Sequence, residues 1–313
     1  MITRNNEESV VFNRGFTDAI KFFAACMVAF GHYAGHAMTF SESIIYRITV
    51  LFAGSLGVAL FFFLSGYGLM MSELKHPLAF GPFMKKRLAR VYLPVVLVSF
   101  VWQIVLWPKG AGIERIPHFL YAVFWGFSDG ILWFVKAIVI CYLLFRLFLV
   151  SRNWGNAVSI LCLVLTSMIA YVLVHYLFAD WAAISTPLFF LGIFVAMYNK
   201  LCYRIIHSWQ VILVVSGLTV ISVLLYLWKG NLFIHAYCNW IVIIGVLVLC
   251  SYYKVVMNSP SWMGDVSYDI YITHNKVLNY LKPIYEYIGL SHFLIGTLIA
   301  TVASFSLRKS LFQ

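Results

Sequence analysis

The sequence predicts an all-α fold: a polytopic membrane helix bundle of about ten transmembrane helices, with both termini in the cytoplasm. Three observations lead there. Of the 313 residues, 63% are hydrophobic and only 11% are charged, and the mean hydropathy is +0.90. A soluble domain carries about 25% charged residues. Next, a helix needs roughly 20 apolar residues to cross the hydrocarbon core. Runs of that kind recur at 17–39, 49–71, 91–107, 131–150, 156–177, 183–199, 210–228, 233–253, 264–281 and 287–307. Finally, the 22 lysines and arginines are distributed unevenly between the two sets of loops. With the N-terminus inside, only Arg47, Lys109, Arg115, Lys229 and Lys282 fall outside, and Lys21, Lys136 and Lys276 lie within spans. The remaining 14 fall on the cytoplasmic side, where Lys and Arg accumulate in membrane proteins.

Taken in order, the first span opens with "DAIKFFAACMVAFGH" (18–32), an apolar run that nonetheless carries three ionisable groups. The second ends "GVALFFFLSGYGLM" (57–70), and the basic stretch "FMKKRLARVYLP" (83–94) leads into the third. Segment 118–130, "HFLYAVFWGFSDG", is apolar but short and ends in glycine, which suits an interfacial or re-entrant piece. The fourth span contains "LWFVKAIVICYL" (132–143), and the ninth is "GDVSYDIYITHNKVL" (264–278). The N-terminus lacks the short apolar core and small-residue cleavage site of a signal peptide, so Asp18 is expected to stay in the mature protein. No repeat, low-complexity tract or linker interrupts the chain. It reads as one domain over 1–313, with a cytoplasmic N-terminal segment 1–15 and no C-terminal soluble domain.

Several function classes fall away at once. The net charge of +11 would suit nucleic acid, but its placement in short clusters between apolar runs is that of a topology signal. Six scattered cysteines with no CxxC form neither a disulfide framework nor a zinc site.

The ionisable groups of the first span are ordered. Lys21 and His32 are eleven residues apart, which is about 20° around a helix and roughly 16 Å along it. Asp18 and His36 each lie within about 40° of His32 on the same face. A charge at mid-membrane costs between ~2.5 and ~17 kcal/mol, so a polar stripe there needs a reason. Three reasons compete. Asp18 and Lys21 snorkel while His32 packs; His32 and His36 form a metal pair at i, i+4; or a neutral imidazole in a polar pocket takes a proton from a hydroxyl. The stripe alone leaves these open.

Motifs elsewhere decide. In order and spacing, the chain from about residue 12 to 308 resembles the acyltransferase family 3 of membrane proteins, whose members O-acylate bacterial surface sugars and related acceptors. The family's basic residue, ten residues and histidine match Lys21 and His32, and the acidic residue three earlier matches Asp18. Its Arg-x-x-Arg matches Arg87 and Arg90, preceded here by Lys86. Its Ser-Gly-Tyr/Phe motif matches Ser65, Gly66 and Tyr67, and its Ser-Tyr-x-x-Tyr-x-x-His matches Ser267, Tyr268, Tyr271 and His274. There are departures. Ala59 stands where many members carry an Asp, Lys21 replaces the commoner Arg, and Thr273 occupies a position that is often Trp. Some members carry an extracytoplasmic hydrolase-like domain; here the chain ends five residues after Arg308.

The resemblance implies a membrane O-acyltransferase, by default an O-acetyltransferase, in the bacterial cytoplasmic membrane. Its donor is cytoplasmic acetyl-CoA or another acyl-CoA, and its acceptor is a hydroxyl of a carbohydrate or lipid-linked glycan. No bound cofactor, metal or nucleic acid is expected; membrane lipid is. The expected site has His32, Lys21 and Asp18 as catalytic residues and Arg87, Arg90 and Lys86 on the acyl-CoA phosphates. Ser65, Tyr67, Trp133, Tyr268, Tyr271 and His274 line the acceptor side or pore. His32 serves as general base or as covalent acyl carrier. A secondary transporter or sugar exporter would also keep intramembrane charges, but it would need no CoA site.

Overall fold

The computed structural model describes residues 11–37, 54–105, 115–126, 133–149, 156–178, 180–228, 232–253, 259–282 and 289–312. Within them the chain is all-helical. The helices are α1 (Arg14–Ala37), α2 (Leu56–Lys75), α3 (Phe80–Val105), α4 (Ile116–Tyr121, followed by a π-helical turn, Ala122–Gly126), α5 (Trp133–Phe148) and α6 (Asn156–Leu177). There follow α7 (Asp180–Ala183), α8 (Thr186–Met197), α9 (Asn199–Ile206), α10 (Trp209–Trp228), α11 (Leu232–Tyr252), α12 (Trp262–Leu281) and α13 (Leu290–Phe312).

Among the described residues, Leu56–Lys75, Phe80–Val105, Ala157–Leu177 and Leu290–Ser310 are each long and apolar enough to cross a membrane, and α8 with α9 makes a fifth candidate bent by 96°. The protein is therefore a multi-pass membrane protein. Its lipid-facing surface is apolar: Met168, Leu213, Val220, Leu224, Leu298 and Ile299 are all more than half exposed. Helices α1 and α12 are not among those candidates. Both carry charged and imidazole side chains along their length, and both belong to the site.

Two sequence expectations change. The third span was expected from 91, but α3 begins at Phe80, so the basic stretch is helix and only 76–79 separates it from α2. Its residues are good helix formers, and Pro82 lies in the first turn, where a missing N–H costs nothing. The span expected over 183–199 ends at Met197 and turns sharply into α9. Segment 116–126 packs along α3: Phe119 stacks edge-on with Phe100 at 5.6 Å, and the Tyr92 hydroxyl donates to the Phe124 carbonyl. It thus runs antiparallel to α3. The ends of several expected spans, the loop near 108–114 and the first ten residues lie outside the described residues.

Close backbone contact holds the centre. A Cβ on Gly66 of α2 would sit 1.9 Å from the Phe189 carbonyl oxygen, and one on Gly192 of α8 would sit 2.1 Å from that of Phe63. Small residues at such crossings let helices approach within van der Waals range in a medium that supplies no hydrophobic drive. Around this contact Phe62, Phe63, Tyr67, Phe189 and Phe190 are buried to 2% exposure or less.

Long-range contacts sort the helix ends. The Tyr67 hydroxyl donates to the Phe12 carbonyl and accepts from its N–H, both at 3.3 Å. Val11 N–H donates to Asn199 at 3.0 Å, Ser259 to the Gly15 carbonyl at 2.6 Å, and Arg146 pairs with Glu73 at 2.7 Å. Arg308 donates to the Asp265 carbonyl at 3.0 Å. One end of the bundle therefore gathers the start of α1, the ends of α2, α5, α11 and α13, the start of α12, and α9, with the basic residues they carry. At the other end Tyr33 stacks on Phe293 at 5.0 Å, and Trp240 donates to the Ile184 carbonyl at 2.9 Å.

Candidate active site

The site is built on α12, whose sequence carries two polar faces. Gly264, Ser267, Tyr271 and His274 recur at three- and four-residue steps, and Gly264 and His274 of this face meet α1; Asp265, Asp269, Thr273 and Lys276 recur likewise on the side of α3 and α13.

On the first face, Asp18 sits against Gly264: a Cβ there would lie 2.4 Å from its Oδ1, so a larger residue would displace this carboxylate. Asp18 is 7% exposed and is flanked by Lys21 and Arg14, each at 3.5 Å. Lys21 is partly open to solvent. Farther along, α1 and α12 bring His32 and His274 together, ring centroids 5.3 Å apart and planes tilted by 30°. His274 is fully buried, whereas His32 is partly exposed. His274 Nδ1 lies 3.0 Å from the Ile270 carbonyl, which can only accept, so Nδ1 carries the proton in the neutral ring and Nε2 keeps its lone pair. Nε2 is buried with no hydrogen-bond partner among the described residues. Leaving such a group unsatisfied costs about 1–3 kcal/mol, and native proteins leave few.

Aromatic rings pack beside the pair. Tyr271 is 5.9 Å from His274, 5.3 Å from Phe134 and 5.8 Å from Phe61, while Trp133 packs at 6.3 Å from Phe62. Tyr271 and Trp133 therefore belong to one aromatic cluster next to the histidines. Tyr67 does not. Its hydroxyl is committed to the Phe12 backbone at the basic end.

Arg87 departs from the picture of an exposed phosphate clamp. It is half-buried, with its guanidinium over Phe83 at 5.7 Å and Tyr142 at 6.0 Å, and its Nε is buried without a hydrogen-bond partner among the described residues. Tyr142 hydrogen-bonds Ser65, and Tyr268 donates to the Val91 carbonyl, so residues of four helices meet around this arginine. Arg90 and Lys86 are exposed on the same helix. Phe83 is shared: Arg146 stacks on it at 5.5 Å while binding Glu73.

The second face of α12 is a structural clamp. Asp269, fully buried, accepts from Ser304 at 2.7 Å and from Arg308 at 2.8 Å, and Thr273 meets Thr301 at 3.2 Å. Lys276 donates to Ser99 at 3.4 Å. It lines a cavity of about 220 Å³ among Val101, Trp102, Ala300 and Leu307.

Sequence reasoning missed Gly264, Tyr142 and the Glu73–Arg146 pair. Gly264 had a signal: it opens the same polar run as Tyr268 and His274. Tyr142 and Glu73 had none, because their roles come from neighbours over 50 residues away. Among the described residues no three His, Cys, Asp or Glu side chains converge as metal ligands; the side chain of His36 is not among those described.

An all-helical multi-pass bundle whose polar side chains meet inside it, histidine against histidine and arginine against tyrosine, is the architecture of a membrane enzyme or a transporter. The family model described as an acyltransferase domain matches residues 14–309, nearly the whole chain, and the protein is a member of that acyltransferase family. No curated protein and no solved structure matches it.

Proposed function

We propose that this membrane acyltransferase moves an acetyl group from cytoplasmic acetyl-CoA to a hydroxyl of a cell-surface or exported carbohydrate, in the bacterial cytoplasmic membrane. In this reading the bundle crosses the membrane ten times, with both termini and the basic end in the cytoplasm. The observation that carries it is the placement of unlike groups along one interior. Arg87 and Arg90 lie on the first turns of α3, at the basic end, and His32 lies more than four turns along α1 from that end. An anionic nucleotide is met by guanidinium forks at the mouth. An extended thioester arm then reaches a deep imidazole, and the acceptor hydroxyl approaches from the opposite side. Lys21, held beside Asp18, adds a positive charge between the two stations. Tyr271, Trp133 and His274 line the acceptor's approach. Mass spectrometry of surface glycans with and without the gene tests the reading, since the mass difference names acyl group and acceptor together. Unchanged glycans would remove the carbohydrate acceptor.

The donor site has its own test. Arg90→Ala should weaken acetyl-CoA binding by about 10- to 100-fold, because a charge-assisted hydrogen bond is worth ~1.5–3 kcal/mol. Arg87→Ala would also empty the space over Phe83 and Tyr142, so Arg87→Lys is the cleaner probe: it keeps the charge and loses the fork. Calorimetry on detergent-solubilised protein reads both. Wild-type affinity in the two variants would take the arginines out of the donor site.

Orientation is tested with single cysteines in a background freed of the six native ones. An impermeant thiol reagent on intact cells should label Gly112→Cys and spare Lys85→Cys. The reverse pattern would put the arginines on the wrong side for a cytoplasmic donor.

A further inference from the structure

We propose that His32 and His274 divide the transfer between them: His32 takes the acyl group, and His274 Nε2 takes the proton of the acceptor hydroxyl. This rests on the acyltransferase reading above and chooses between the two chemistries open to His32.

Four observations carry it. The rings face each other at 5.3 Å, close enough for one acceptor oxygen to address both. The Ile270 carbonyl fixes the His274 tautomer, so Nε2 is a lone pair set in place before any substrate arrives. That lone pair is buried and unpartnered among the described residues, a group poised for a proton that the protein itself does not supply. The last is access. His32 is the partly exposed ring of the pair and so the one open to the donor, whereas His274 is fully buried and anchored through Nδ1. A single imidazole carrying an acyl group keeps only a weakly basic lone pair on its far nitrogen, directed away from the acyl carbonyl that the acceptor attacks. Two in contact remove the conflict.

The steps balance. An unprotonated ring nitrogen of His32 attacks the thioester carbonyl; the N–C bond forms, the C–S bond breaks with its electron pair on sulfur, and the proton lost from the acylated ring accompanies CoA as its thiol. The acceptor oxygen then attacks the acyl carbonyl as its proton passes to His274 Nε2. The C–N electron pair returns to His32, and His274 passes its proton to the His32 ring, so both imidazoles end neutral. The sum is thioester plus alcohol giving ester plus thiol.

The test uses purified full-length protein, acetyl-CoA as donor and hydroxylamine as a small nucleophile that needs no base. Native membranes of the source cell supply the natural acceptor. Wild-type protein alone should release one CoA per enzyme in a burst. His32→Ala should release none and form no acetohydroxamate. His274→Gln, which keeps a hydrogen-bonding side chain of similar bulk, and His274→Ala should both keep the burst and form acetohydroxamate with hydroxylamine, yet transfer to membranes about 10²–10⁴-fold more slowly. A burst lost equally from the His32 and His274 variants, with acetyl-CoA still bound, would overturn the division of labour. So would wild-type transfer by His274→Gln, or wild-type protein that turns over in membranes without any burst. If the wild type neither binds acetyl-CoA nor releases CoA in membranes, the donor reading fails instead.

Discussion

His32→Ala should abolish acyl transfer while the protein is still made, inserted and able to bind acetyl-CoA. A catalytic imidazole contributes ~10²–10⁴-fold as a base, and more as the atom that carries the acyl group. The structural loss is small by comparison. His32 is partly exposed, and the adjoining surface of α1 is held by Ala24, Ala25 and Val28, all fully buried. His36→Ala serves as the control, because a metal pair would need both imidazoles and an acyl carrier needs one. Transfer measured from labelled acetyl-CoA into native membranes, beside calorimetric donor affinity, separates the two effects. Turnover near wild type in His32→Ala would return the α1 stripe to a packing role. Equal collapse of both variants, rescued by added metal, would favour coordination.

The largest structural effect is expected at Gly66. A Cβ placed there meets a carbonyl oxygen at 1.9 Å and the carbonyl carbon of the same residue, Phe189, at 2.8 Å. No rotamer relieves a clash with backbone, so α2 and α8 must separate along their contact. Overpacking usually costs ~1–3 kcal/mol, and Gly66→Ala should reach or exceed the upper figure. Gly68, two residues on, has nothing within 4 Å of where a Cβ would stand. Gly68→Ala should be neutral or stabilise by up to ~1 kcal/mol, since alanine is the better helix former. Thermal unfolding followed by size-exclusion profile in detergent should show monodisperse protein for Gly68→Ala and aggregated or absent protein for Gly66→Ala. Matching melting curves for the two would mean that α2 and α8 do not meet backbone to backbone.

Much of the site was legible because its residues are local in sequence. Lys21 and His32 share a face through helix periodicity alone, and Tyr271 and His274 do so three residues apart. The structure adds the partner of each. It sets His274 against His32, Gly264 under Asp18, and Tyr142 beneath Arg87. None of these pairs is visible in a linear chain, since the members are separated by 55 to over 240 positions. Arg87 shows the limit most clearly. Its motif suggested a phosphate ligand, and only the packing of α3 on α5 reveals a half-buried guanidinium between two rings.

Composition and periodicity were enough to make this chain a helical membrane protein and to mark which of its helices carry the polar stripes. Apolar runs must leave water whatever their neighbours are, and an ionisable group inside such a run is costly enough to mark function. Packing in three dimensions was needed to place the start of α3, to turn α8 into α9 at 96°, and to bring two histidines from opposite ends of the chain into one contact. Those outcomes depend on close fit between surfaces, through glycines at the α2–α8 crossing and beneath Asp18. Fit of that kind is a property of two helices together, and neither helix's sequence encodes it alone.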